Sequence, residues 1–221
     1  GTGPGPLHTW NVEFGFGSAQ RRQVDDTGYI RDLTGQLQKE LAVDPKRVYL
    51  TGLSNGAILC HWAAARSPEL FAGIAPVVGT VGGRDEHEKT LHMPPVPAKG
   101  VPIVFFMGEK DQSVPLQGGL QGKHADSRKW MVSAEDTAKF WVAANGCDPK
   151  PVVEELADKG STRKSWSRAG RPLGLLPRRH ASISSLLWRP AHPRRSRSPV
   201  GPSPASASRP DEARVPAWAR A

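Results

Sequence analysis

Apolar residues along the chain fall into two alternating spacings. Ile30, Leu33, Leu37 and Leu41 recur every three or four residues, one stripe of a helix that opens at Asp25-Asp26 and stops at Asp44-Pro45. Val48 to Thr51 is a short apolar run of strand type. Residues 56–66 are small and apolar, as suits a helix packed on a sheet. Phe71 to Val78 reads as a second buried strand, and Val101 to Met107 as a continuous apolar strand of central, parallel kind. Ser133, with Asp136 three residues on, caps a further helix whose buried side is Ala134, Ala138, Trp141 and Val142 and which Gly146 ends. Residues 1–24 read as a loop anchored by Trp10, Phe14 and Phe16, and residues 80–100 as a long loop. Strands alternating with helices predict an α/β fold. Its sheet is mostly parallel with flanking helices, and the strands near 48–51, 73–78 and 101–107 are adjacent.

Charge changes the picture past residue 160. Residues 1–160 carry 17 Lys and Arg against 19 Asp and Glu, whereas residues 161–221 carry 13 against 2. The formal net charge of +9 therefore belongs to the tail. Twelve of the tail's 13 basic residues are Arg, and Pro, Ser and Ala supply 29 more of its positions. Such a composition offers too little apolar surface to offset chain entropy. The expected organisation is an incomplete domain over 1–160 and a largely disordered tail over 161–221. No apolar run approaches the ~18 residues a bilayer span needs. The N-terminus shows no charged-then-apolar leader.

Between the first strand and the helix after it stands Gly52-Leu53-Ser54-Asn55-Gly56. Gly-x-Ser-x-Gly at a strand-to-helix turn is the nucleophile elbow of α/β-hydrolases. Gly52 and Gly56 would let strand and helix approach, Ser54 would stand clear of the backbone, and the Asn55 amide could donate to an oxyanion. The competing reading is an ordinary Gly/Ser/Asn loop. Asp85, Glu86, His87, Glu88 and His92 read as a solvated charge cluster rather than a metal site, and no metal or other cofactor is expected. Cys60 reads as a small buried residue, and its pairing with Cys147 stays open.

From Trp10 to about Glu155 the chain resembles esterases of the poly(3-hydroxybutyrate) depolymerase group, α/β-hydrolases related to feruloyl and acetyl-xylan esterases. The resemblance rests on Thr9-Trp10-Asn11, Val24-Asp25-Asp26-Thr27-Gly28-Tyr29-Ile30, Asp44-Pro45-Lys46-Arg47-Val48-Tyr49 with the elbow, and Phe71 to Val77. It continues in Gly108-Glu109-Lys110-Asp111 with Val114-Pro115, Ser133 to Asp136, and Asn145-Gly146-Cys147-Asp148. It implies a partial α/β-hydrolase, with Ser54 as nucleophile, Asp111 as the acid that orients a histidine, and Asn55 as an oxyanion donor. It further implies an extracellular or periplasmic serine esterase acting on a small-molecule or polymeric ester, without membrane or nucleic-acid partners.

Three departures qualify that implication. The family's earlier His-Gly strand, source of a second oxyanion amide, has no counterpart here. Phe14-Gly15-Phe16-Gly17 stands where the family has Cys-Cys. The Gly-rich histidine motif expected after Glu155 is absent, leaving His180 and His192, which Arg and Pro flank. An Arg/Pro/Ser/Ala-rich tail is what GC-rich coding DNA yields out of frame, so family-like sequence is expected to end near 160 through a frameshift. Two alternatives to the esterase follow. One is a non-catalytic remnant of such an enzyme, poor in activity. The other is a polyanion-binding module using the basic tail, which its sparse aromatic residues disfavour.

Overall fold

A computed structural model of the chain describes residues 8–15, 17–85, 88–121, 129–156 and 161–168, and the backbone of 183–188. The chain divides into two units, Gly1–Pro190 and Ala191–Ala221, and every described residue belongs to the first. Its elements are α1 (Ser18–Arg21), α2 (Asp26–Glu40), a 3-10 turn (Pro45–Arg47), β1 (Tyr49–Leu53), α3 (Asn55–Arg66), β2 (Gly73–Val77), β3 (Gly83–Asp85) and β4 (Ile103–Gly108). They continue with β5 (Gly119–Gln121), β6 (Lys129–Met131), α4 (Ala134–Asn145), β7 (Val152–Leu156), β8 (Ser161–Trp166) and β9 (Ile183–Trp188).

The main sheet has six strands in the order β1-β2-β4-β9-β8-β7. β1, β2, β4 and β9 run parallel, and β8 is antiparallel to both of its neighbours. The three strands expected to be adjacent and parallel are so. The unit is part of an α/β-hydrolase fold.

Local signals explain the helices. The Asp25 side chain accepts from the Gly28 N–H and starts α2. Ser133 accepts from the Asp136 N–H and starts α4, while Gly146, in the left-handed region at φ 61°, ends it. α3 is apolar all round: Ala57 through Ala65 are all buried. It fits between α2 and the first two strands, and burying its Ile58, Leu59 and Trp62 contributes about 1.5–3 kcal/mol each. On the sheet, β4 alternates buried and half-buried positions, with Ile103, Phe105 and Met107 turned into the core. The buried Asn145 side chain holds the end of α4 to the strand entrance, accepting from the Val101 N–H and donating to the Val101 carbonyl.

Several expectations are corrected. Segments 161–166 and 183–188, read as part of the disordered tail, are strands of the main sheet. β9 pairs along one edge with β4 and along the other with β8. Backbone hydrogen bonding on both sides overrides a composition that looks unstructured on average. Apart from Ser167 and Arg168, the rest of that tail, and with it the frameshift reading, lies outside the described residues. Residues 83–85, assigned to a loop, form β3 in a second sheet of order β3-β6-β5. The first 24 residues, also read as a loop, contain α1. The apolar stripe of α2 is only partly covered: Ile30 and Leu33 are half-buried, Leu37 and Leu41 exposed. α2 rests on α3, and β1 beside it is an edge strand, which leaves Tyr49 69% and Leu53 67% exposed. Cys60 and Cys147 are not joined in a disulfide. Among the described residues no helix is long and apolar enough to cross a membrane.

Candidate active site

Ser54 sits at the apex of the turn between β1 and α3, with φ 54° and ψ −117°. That conformation is rare for a residue with a side chain and costs on the order of 1–3 kcal/mol, so its surroundings must hold it. They do so from three sides. The Ser54 N–H donates to the Val77 carbonyl of β2 at 2.9 Å. The Ser54 carbonyl accepts from the N–H groups of Ala57 and Ile58 at 2.9 and 3.1 Å. Gly52 lies against the turn of α3, where any Cβ would collide with the Gly56 carbonyl. The expected need for a glycine is thus met at position 52. At position 56 a Cβ would find only the Trp10 ring, 3.8 Å away.

Ser54 itself is exposed. The first N–H groups of a helix have no helical carbonyl behind them, so Asn55 and Gly56 present donors at the start of α3. The Asn55 side chain is committed elsewhere: its Oδ1 accepts from the Trp10 N–H at 2.6 Å and its Nδ2 donates to the Trp10 carbonyl at 3.2 Å.

Asp111 follows β4. Since β1, β2 and β4 are parallel and adjacent, Ser54 and Asp111 lie on the same carboxyl edge of the sheet, two strands apart. At the usual strand spacing that is about 10 Å between backbones, room for an imidazole between the side chains. One carboxylate oxygen of Asp111 accepts from the N–H groups of Ser113 and Val114 at 2.7 and 2.8 Å. This fixes the carboxylate and leaves its second oxygen outside that turn.

Three histidines are described with their side chains. His8 shares with Ser54 the lining of a cavity of about 350 Å³, together with Trp10, Ile30, Leu53 and Leu59. His92 pairs with Glu88 at 2.9 Å. His61 lies wholly buried behind the elbow. Trp141 Nε1 donates to its Nδ1 at 3.0 Å, and its Nε2 faces the Gly79 carbonyl at 3.4 Å. Burial pushes the His61 pKa down to about 4, so the ring is neutral and both nitrogens are engaged. It braces the elbow and cannot serve Ser54. His180 and His192 lie outside the described residues. Cys60 also borders the cavity, but burial raises its thiol to about 12, which leaves no thiolate to compete with Ser54.

Sequence reasoning missed two supports of this site. Gly79, after β2, lies against Ala57 and the Ser54 carbonyl, where a Cβ would not fit. His61 ties α3 to that glycine. A glycine at a strand exit and a histidine on an otherwise apolar helix were the available signals. In the charge cluster, Asp85 accepts from the Gly15 N–H at 2.7 Å, and Glu86 and His87 lie outside the described residues. Among the described residues no group of three His, Cys, Asp or Glu is placed to hold a metal ion.

Comparison with known proteins adds the following. The model of the prolyl oligopeptidase family matches residues 30–92, a span that includes the elbow. Feruloyl esterase B of Piromyces equi is 27% identical over 154 residues, 66% of this chain and 26% of that protein. Acetylxylan esterase of Coprinopsis cinerea is 30% identical over 101 residues, 46% of this chain and 26% of that protein. Poly(3-hydroxyalkanoate) depolymerase C of Paucimonas lemoignei is 42% identical over 50 residues, 23% of this chain and 12% of that protein. The chain thus spans about a quarter of the length of the two esterases. What these likenesses and the parallel sheet have in common is the α/β-hydrolase scaffold.

Proposed function

We propose that this chain carries the nucleophile of a serine carboxylic-ester hydrolase of the polyhydroxybutyrate depolymerase type. The observation that carries the reading is the strained Ser54 at the β1–α3 turn, with Asp111 on the same sheet edge two strands away. Ser54 Oγ attacks the ester carbonyl while a histidine, oriented by Asp111, takes its proton. The oxyanion accepts from the Asn55 N–H at the start of α3. Collapse of the tetrahedral intermediate expels the alcohol, which takes the proton back, and leaves an acyl-Ser54 ester. Water, deprotonated by the same base, then releases the acid. Hydroxyalkanoate oligoesters and related aromatic or acetyl esters are the substrate class, and the family resemblance supports an extracellular or periplasmic setting.

A second reading, a non-catalytic remnant, is favoured by one observation: no histidine among the described residues is bonded to both Ser54 and Asp111. Losing a triad member costs several orders of magnitude but leaves a residual rate above water. Hydrolysis of p-nitrophenyl acetate, 3-hydroxybutyrate and ferulate by the parent and by Ser54→Ala separates the two. The first reading expects slow turnover that vanishes in the variant. Equal rates in both proteins would leave the remnant.

A further inference from the structure

The Asn55 side chain is used in an uncommon way. Its oxygen and its nitrogen bond to the N–H and the carbonyl of one residue, Trp10, 45 positions earlier in the chain. The amide imitates a neighbouring strand for a segment that has none. Residue 11 is held similarly: Asp26 accepts from the Asn11 N–H at 2.6 Å, and Asn11 donates to the Val24 carbonyl at 2.9 Å. A stretch without regular structure is thereby fixed across the mouth of the elbow by side chains from α3 and α2.

What this fixes is an aromatic wall. The half-buried Trp10 ring stacks with Tyr29 at 6.4 Å and 25°. Its Nε1 edge lies over the start of α3, where Gly56 offers no side chain to displace it. The ring borders the same cavity as Ser54, with Ile30, Leu53 and Leu59 supplying apolar surface. An indole held at this place can stack on a planar ring, worth a fewfold to about tenfold in affinity.

We infer that Asn55 is a positioning residue that seats Trp10 beside Ser54, and that this pocket selects esters with a planar ring in the acyl or alcohol group. The inference rests on Ser54 being the nucleophile of the proposed hydrolase. It separates Asn55's backbone, which faces the oxyanion, from its side chain, which acts through Trp10.

The test uses p-nitroacetanilide, an amide with a ring and no ester bond, and follows its binding by ligand-observed NMR. The proteins are the full chain, Asn55→Ala, Trp10→Leu, Trp10→Phe and the Asn55→Ala/Trp10→Leu double variant. Saturable binding is expected in the parent. A loss of about fivefold is expected in Asn55→Ala and in Trp10→Leu, with no further loss in the double variant and rescue to within about twofold in Trp10→Phe. Should Asn55→Ala not fold, Asn55→Asp carries the comparison. It keeps the acceptor for the Trp10 N–H but sets a carboxylate oxygen against the Trp10 carbonyl, so a loss as large as that of Trp10→Leu is expected, and parent-like binding counts against the inference. Parent-like binding by Asn55→Ala, losses that multiply in the double variant, or no saturable binding by the parent overturns it. Ser54-dependent ester hydrolysis is scored separately, so failure of the hydrolase reading shows as an anilide that binds beside a serine that does not react.

Discussion

The two ends of the main sheet are made by different means. At one end, β1, β2 and the elbow are specified residue by residue. Gly52 is wanted because a Cβ has no space, and Ser54 sits at a φ that its neighbours enforce. His61 stands in a buried pair of hydrogen bonds. At the other end, antiparallel ladders join β9, β8 and β7, Trp166 of β8 enters the core, and β7 is an edge strand with Val152 and Val153 exposed. Steric demands of that kind tolerate little substitution. A ladder tolerates most residues except those that remove an N–H. The elbow end therefore depends on steric fit at single positions, and the far end also on its backbone pairing.

Four experiments probe that contrast. The largest effect belongs to Gly52→Val. Its side chain meets backbone of Gly56 and Ala57 rather than flexible groups, so a loss above about 4 kcal/mol is expected, seen as failure to fold or as a collapsed urea midpoint. Mild destabilisation would mean the elbow has more room than its geometry shows.

Next comes acid. The folded His61 pKa is about 4 against 6.5 for the ordinary group. Between those values the unfolded chain takes up a proton that the folded chain refuses. The stabilisation is complete above pH 6.5 and is lost progressively as pH falls toward 4, about 3 kcal/mol in all. Urea unfolding at pH 7, 5.5 and 4 should show this slope in the parent and a flatter one in His61→Phe.

A proline at position 185 tests the other end. Ser185 pairs with Phe105 on one side and Lys164 on the other. Ser185→Pro removes a ladder N–H from an interior strand and should lower the urea midpoint. It should also accelerate amide hydrogen exchange in β7 and β8 while β1 and β2 stay protected. Unchanged exchange would remove β9 from the sheet. The smallest effect is at the exposed edge: Val153→Lys should shift stability by less than about 0.5 kcal/mol, measured by the same unfolding curves.

The contrast also explains what the sequence could and could not announce. Gly-x-Ser-x-Gly, the caps Asp25 and Ser133, and the stop at Gly146 are local devices whose meaning fits within five residues. The adjacency of β1, β2 and β4 followed from three apolar runs, although a helix, α3, separates only the first two. β9 was hidden because Ile183 to Trp188 is six residues inside 61 of Arg-, Pro- and Ser-rich sequence, and its partners lie 80 residues upstream and 20 back. The three-residue strands of the small sheet are too short to show a period. The Asn55–Trp10 clamp was unreadable for the opposite reason: both residues stood out, but nothing in the chain announces that an amide at 55 will bond a backbone at 10.

The position of β9 has a consequence for the order of folding. Of the described strands it comes last in the chain, yet it lies in the interior of the sheet, between β4 and β8. As the chain leaves the ribosome, β1, β2 and β4 can assemble around α3, and β7 and β8 can form a hairpin. Neither piece can close on the other until Trp188 has emerged. Some 80 residues separate Gly108 from Trp188, which at about 5–20 residues per second is about 4–16 s of synthesis. For that interval the inner edge of β4 is an open row of backbone donors and acceptors. A ribosome paused between residues 108 and 183 would lengthen it, and with it the time in which a neighbouring nascent chain can pair there instead.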